Sequence, residues 1–410
     1  MSIELSNKFF DKNVISVFYV NIRKFIFVFI ASFLGLNVIS FNSIAKTEEL
    51  EFVKTSGDKF LSNGKEFRIA GVSNHYLAFG SEQEVRAVLD DAVAMGANVV
   101  RTFLQPVIGS LDDTVPTIWD FKSTQDASNL GVKGAYLLYF DPASKGMAIN
   151  AEGFRKIDFV IAEASKRHLK LVISFLDFWA YTGGAQQMRA WYGSTDKNAF
   201  FFTDPRTKAD YRAWVYYVVN RRNVLTGRVY KDDPTIMAWE LMNEPSAKPD
   251  ELREPWIAEM AAFVKTVAPN QLLTSGHANI RQKMSDIRLK NIDYGTWHGY
   301  PIFYNQTVAE FRDQIVEYCA IAKAANKPAI LGEFGWARSN PDQVAVYDNW
   351  LKTLDAQEGC AGWIVWRLVS RQDHGRFPKD EHDQFDIRND GSPMWNLMRM
   401  ATARTLRKSE

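Results

Sequence analysis

The sequence predicts an α/β fold, a (β/α)8 TIM barrel with an N-terminal β-hairpin and long loops on its C-terminal face. Three observations predict it. Short apolar runs alternate with amphipathic helical stretches, which implies a parallel sheet covered by helices. Eight such runs are present, enough for the sheet to close. The longest irregular stretches all follow strands, on the face where barrels build their sites. A doubly wound open sheet is the alternative, but no Gly-rich phosphate turn follows the first run. The chain has 410 residues, within the range of one barrel domain.

The hairpin reads from Phe52 to Phe67, as short strand-like runs around Ser56-Gly57-Asp58 and Asn63-Gly64. An Asn-Gly pair between apolar residues is a strong hairpin signal, and this hairpin is expected to cover the bottom of the barrel. The eight strands are expected at Phe67–Val72, Asn98–Phe103, Lys170–Phe175, Ile236–Asn243, Leu272–His277, Tyr294–Tyr300, Ala329–Gly335 and Gly362–Leu368. Between them, Glu82 to Met95 repeats apolar residues at Val85, Val88, Leu89, Ala92 and Met95, a helical stripe. Similar stripes cover Phe154–Ala164, Lys208–Arg222, Trp256–Val267, Val308–Ala325 and Val344–Leu354, and a last helix starts near Trp395. The irregular stretches are Leu104–Ala151, Asp177–Arg206 and Val369–Met394. Loops this long are usually functional, and these hold Trp119, Tyr136, Tyr139, Phe140, Trp179, Tyr181 and Trp191.

With 49 Lys and Arg against 48 Asp and Glu, the formal charge is +1. No global field favours nucleic acid or an anionic surface. At the N-terminus, Arg23-Lys24 precede an apolar run from Phe25 to Phe41, and Ser43-Ile44-Ala45 offers small residues for cleavage. Residues 1–45 therefore read as a signal peptide, leaving 46–410 as one exported domain without stable membrane association. An uncleaved anchor is the competing reading. Two cysteines are present. Cys319 reads as mid-helix and Cys360 as the residue before a strand, so two free buried thiols are expected.

The segment from Pro234 to Pro245 carries the sharpest chemistry. An apolar strand runs into Asn243-Glu244-Pro245, and Pro245 cannot extend the ladder, so Glu244 stands at the strand's end. The strand Ala329-Ile-Leu-Gly-Glu333-Phe-Gly335 carries a second Glu near its own end. Two carboxyl groups at one barrel mouth meet the requirement of glycosidic cleavage: one protonated to release the leaving oxygen, one ionised to attack the anomeric carbon. Among the histidines, His168 reads as surface, His374 and His382 as a polar loop, and His75 and His277 as candidates for the mouth. No metal-ligand spacing emerges.

These motifs, with Phe201-Phe202-Thr203-Asp204-Pro205, Lys231–Pro245, Gly295-Thr-Trp-His298-Gly-Tyr300-Pro301 and Lys327–Gly335, resemble glycoside hydrolase family 5. Within it the likeness is to endo-β-1,4-mannanases of the plant and fungal type. The resemblance runs from about Phe67 to the C-terminus. It implies Glu244 as acid/base, Glu333 as nucleophile and Asn243 as the ligand of the sugar 2-hydroxyl. It further implies Arg101 beside the nucleophile, His298 and Tyr300 around both carboxylates, and Trp366 beneath the cleaved sugar. Trp179 and Asp177 border the same cleft. The implied reaction needs no cofactor and no metal, and the implied partner is a poly- or oligosaccharide met outside the cell by a monomer.

Three departures fall at the cleft, one of them the loop after His277, which differs from the mannanase form. Asp177-Phe178-Trp179 stands where the family often has Asn-Asn-Trp, and Arg101-Thr102-Phe103 where it has Arg-Thr-Trp. An extra acid at Asp177 is expected to raise the pKa of a neighbouring Glu. Mannan cleavage is the reading retained. The alternatives are another family 5 β-glycanase, such as an endo-β-1,4-glucanase, an exo-acting or transglycosylating relative, or, from a different class, an inactive carbohydrate-binding barrel.

Overall fold

The computed structural model describes residues 50–118, 136–379 and 383–409. The leader read at residues 1–45, Trp119 and His382 lie outside them. Asn63 and Gly64 both take positive φ, 51° and 74°, as a two-residue type I′ hairpin turn requires. They join Lys59–Ser62 to Lys65–Glu66, and Lys54–Ser56 completes a three-stranded antiparallel sheet. Phe60 and Val53 are buried among Ile69, Val99, Val172, Met237, Leu272 and Ile330, residues at the starts of the barrel strands. The hairpin thus seals the N-terminal end of the barrel, as expected.

The eight barrel strands are Ile69–Ser73, Val99–Phe103, Lys170–Ser174, Ile236–Glu240, Leu272–Thr274, Gly295–Gly299, Ala329–Phe334 and Cys360–Val365. Every expected strand is found, though several stop short of the apolar pattern because the chain stays buried after it leaves the ladder. Hydrogen-bonded order runs fifth, fourth, third, second, first, eighth, seventh, sixth. The seam between fifth and sixth is bridged by Asp293 N–H to Leu273 O (2.8 Å) and His298 N–H to Ala278 O (2.9 Å). Asn279 adds a bond from its amide to Thr296 O (2.7 Å), so the cylinder closes.

Helices Glu82–Met95, Phe154–Lys166, Pro205–Asn220, Arg253–Val267, Val308–Ala325, Gln343–Asp355 and Pro393–Leu406 alternate with the strands. Capping boxes Ser81/Glu84 and Thr307/Glu310 start two of them, each satisfying N–H groups the helix leaves unpaired. Trp214, Trp239, Trp256, Trp297, Trp350 and Trp363 are fully buried, so much of the aromatic content is core. Among the described residues no helix is long and apolar enough to cross a membrane.

Two expectations need correction. The stretches read as irregular contain structure of their own: Val107–Ser110, Leu138–Asp141 and Gly146–Ile149 form a small sheet, and Gly184–Trp191 is a helix. Their aromatics largely serve that structure. Trp191 is buried, with its Nε1 donating to Ile108 O, whereas Trp179 and Tyr181 line the cleft.

The second correction concerns the cysteines, which form a disulfide with Cα atoms 4.9 Å apart. The reason is a close approach that sequence patterns do not reveal. Gly359 sits at φ 82°, and a Cβ there would lie 2.3 Å from Cys319 O. Only glycine lets the helix come this near the start of the eighth strand.

Candidate active site

The fourth barrel strand gives way to Leu241-Met242-Asn243-Glu244 without releasing its neighbours. Asn243 N–H bonds Leu176 O at 2.8 Å and Glu244 N–H bonds Gly276 O at 2.9 Å. Glu244 takes φ 51°, a conformation that costs a side-chain-bearing residue and persists only when its surroundings impose it. The backbone therefore turns Glu244 out of the ladder into the barrel mouth.

Arg101, 1% exposed on the second strand, is the hub beneath it. Its Nε and Nη2 bond both oxygens of Glu240, at 3.0 and 2.6 Å. Nη1 bonds Glu333 Oε1 at 2.5 Å, and Nη2 also reaches Asn243 Oδ1 at 2.8 Å. Burial opposes the guanidinium charge, but Glu240 and Glu333 overcome that and hold it firmly protonated. The other end of the Asn243 amide donates to Asp177 Oδ1 at 2.9 Å. With its oxygen committed to Arg101, Asn243 is left one N–H to offer a ligand.

Glu333 leaves the seventh strand toward the same point. Its Oε2 accepts from Tyr300 OH at 2.6 Å. Glu244 accepts from Trp179 Nε1 at 2.7 Å and faces His298 Nδ1 at 2.5 Å. A carboxyl oxygen from each Glu and a ring nitrogen of His298 all lie within 4.8 Å of one another.

Burial would push the Glu244 carboxyl up, but His298 and the Trp179 hydrogen bond outweigh it and hold the group below its ordinary value. Burial likewise disfavours His298 charge, and Glu333 with Glu244 reverses that, raising the imidazole. The expected effect of Asp177 falls on Asp177 itself. Burial, then the two Glu charges, push its own carboxyl up to about 7, against the hydrogen bonds from Asn243 and Trp179 that favour its charge.

A family model described as GH family 5 beta-mannosidase-like matches residues 142–359. The chain belongs to glycoside hydrolase family 5. It is 31% identical over 368 residues to a rice protein (Oryza sativa subsp. japonica) assigned as mannan endo-1,4-beta-mannosidase 9, covering 78% of this chain and 82% of that one. The endo-1,4-beta-mannanase structure from Rhizomucor miehei superposes with a TM-score of 0.73 at 26% identity, over 86% of this chain and 99% of the other. The endo-beta-1,4-mannanase from Thermotoga petrophila gives 0.70 at 26%, over 85% and 79%.

In this family 5 hydrolase the cleft is a cavity of about 650 Å³. Asp177, Trp179, Asn243, Glu244, Tyr300, Glu333 and Trp366 line it, while Arg101 and His298 lie beneath, reaching it through the groups they hold. Trp179 is 45% exposed, a flat face open to a ligand. Trp366 packs against His75 and Phe103, with ring centroids 6.1 Å away in each case. Of the two histidines expected at the mouth, His75 lines the cleft. His277 does not: it is buried against Asn279 at 2.8 Å, and burial lowers its pKa to about 3.

Sequence reasoning missed Gln105, Phe303, Tyr304, Arg367 and Asp383 in the lining, and Glu240 below it. Only Glu240 had a readable signal, as an acid inside an otherwise apolar strand.

Proposed function

We propose that this hydrolase cleaves internal β-1,4 bonds of mannan-type polysaccharides with retention of configuration. Glu333 is the nucleophile and Glu244 the acid/base. The observation that carries the mechanism is the approach of the two carboxyl groups, with oxygens within 4.8 Å. Retaining enzymes hold these groups about 5 Å apart, whereas inverting ones need roughly 6.5–9.5 Å to admit a water. Arg101 and Tyr300 give Glu333 two hydrogen bonds that fix its direction. Glu244 must deliver a proton to the leaving oxygen, and His298 Nδ1 lies within hydrogen-bond distance of Glu244, at 2.5 Å. Asn243 offers its spare N–H to the 2-hydroxyl, and Trp366 and Trp179 supply aromatic faces.

The mannan preference rests on the relatives' named activities. Mannose and glucose differ by one axial hydroxyl, and a missing hydrogen bond at a buried group costs about 1–3 kcal/mol, roughly ten- to hundredfold in rate. Mannan or glucomannan should therefore be cut faster than carboxymethylcellulose or xylan, giving oligosaccharides. Faster cleavage of β-glucan, or release of single sugars alone, would remove the endo-mannanase reading and leave the retaining chemistry standing.

We further propose export, supported by the Arg23–Ala45 pattern and by a disulfide of the kind that persists in oxidising compartments. The mature chain should begin near Lys46 on N-terminal sequencing; a membrane-bound product beginning at Met1 would favour the anchor.

A further inference from the structure

Glu240 lies too deep to meet a substrate, yet it takes two hydrogen bonds from the site's arginine where Glu333 takes one. Both of its oxygens are taken by Arg101, at 3.0 and 2.6 Å. The pair is almost fully enclosed, with side-chain exposures of 1% and 2%. Space for the carboxyl group is reserved by Gly276, at φ 74°, where a Cβ would fall 2.5 Å from Glu240 Cγ. A buried acid that binds no ligand, in a niche cut for it, needs a role that a packed apolar residue could not fill, since such pairs add little stability over hydrophobic replacements.

We infer that Glu240 is a positioning residue that sets both the orientation and the charge Arg101 presents to Glu333. The guanidinium is planar, so fixing its Nε–Nη2 edge on Glu240 determines where Nη1 points. Nη1 is the atom that meets Glu333 at 2.5 Å. Glu240 also neutralises the arginine. An arginine whose whole charge fell on Glu333 would stabilise the free carboxylate and blunt its attack, because intrinsic nucleophilicity weakens as basicity falls. Shared between two carboxylates, the guanidinium places only part of its charge on Glu333.

The other groups facing Glu333 are Tyr300, His298, Glu244, Asp177 and Tyr304. Those facing Glu240 are Arg101, Tyr211 and Tyr294. Tyr211 and Tyr294 are held neutral by burial, so the cation that Glu240 meets is Arg101.

This inference rests on the retaining assignment above, and the test separates the two. Wild type, Glu240→Asp and Glu240→Gln are compared on an activated aryl β-mannoside, with thermal melts to establish folding. Glu240→Gln keeps the shape and removes the charge. Both limbs of its kcat/KM profile should move about one pH unit lower, as expected for a less compensated cation nearby. Glu240→Asp keeps the charge but cannot hold the fork without drawing Arg101 back. Its limbs should stay where the wild type has them while kcat falls about a hundredfold, the cost of an ångström of misplacement. A merely structural role would lower the melting temperature and leave the limbs of both variants unmoved. Wild-type kcat in Glu240→Asp overturns the inference even if Glu240→Gln fails to fold, and so does a folded Glu240→Gln with unshifted limbs. No turnover by the wild type would instead sink the retaining-hydrolase reading itself.

Discussion

Glu333→Ala is expected to lower kcat by about 10⁵- to 10⁶-fold, the loss seen when a nucleophile is removed from a working constellation, and to regain activity with azide. The structure explains why the variant should still fold. Arg101 keeps its two bonds to Glu240 and one to Asn243, so no buried charge is stranded. The deleted carboxylate leaves a hole between Nη1 of Arg101 and the hydroxyl of Tyr300, the two groups that held it. A small anion fits both the space and the donors. Azide attacking from that side of a β-glycoside gives an α-glycosyl azide, the inverted product. Glu244→Ala should behave differently: with an activated leaving group, the first step no longer needs an acid, and azide then replaces water to give a β-azide. The identity and anomeric configuration of the adducts, read by NMR, decide the roles. An inverted adduct from Glu244→Ala would reverse them.

The barrel was legible because its strands are continuous apolar runs and its helices carry stripes. Glu82–Met95 and Val308–Ala325 are found with the expected bounds. The two carboxylates were legible because each ends an apolar strand, a position chemistry uses and packing does not require. What stayed hidden depends on approach in three dimensions. Glu240 was passed over because its partner lies 139 residues away in sequence. The direction of the Asp177 effect depended on burial, which raises Asp177, and on His298, which holds Glu244 down. His277 and His75 sit in similar sequence surroundings, yet one turns into the wall and the other into the cleft. Cleft residues such as Phe303 and Arg367 occupy loops, where no periodicity assigns a side chain to a face.

The cysteine pair offers the largest expected effect on stability. Cys319 and Cys360 are separated by 41 residues, and a cross-link over that span removes about 4 kcal/mol of loop entropy from the unfolded chain. The span holds the end of one helix, the seventh strand with Glu333 and the helix Gln343–Asp355, so the bond restrains the unit that carries the nucleophile. Both residues are buried, at 0% and 2% exposure, which makes alanine a better replacement than serine because no hydroxyl is left unpaired. The double variant Cys319→Ala/Cys360→Ala should melt roughly 5 °C lower, the shift that 4 kcal/mol gives in a domain of this size. Its kcat should match the wild type, since Cys360 opens the eighth strand and the cleft lies beyond the strand's other end, at Trp366. Calorimetry of oxidised, reduced and double-alanine protein checks this directly. A double variant melting with the oxidised wild type would mean that the restraint contributes nothing to stability. A normal melt with lost activity would place the bond in the service of the site instead.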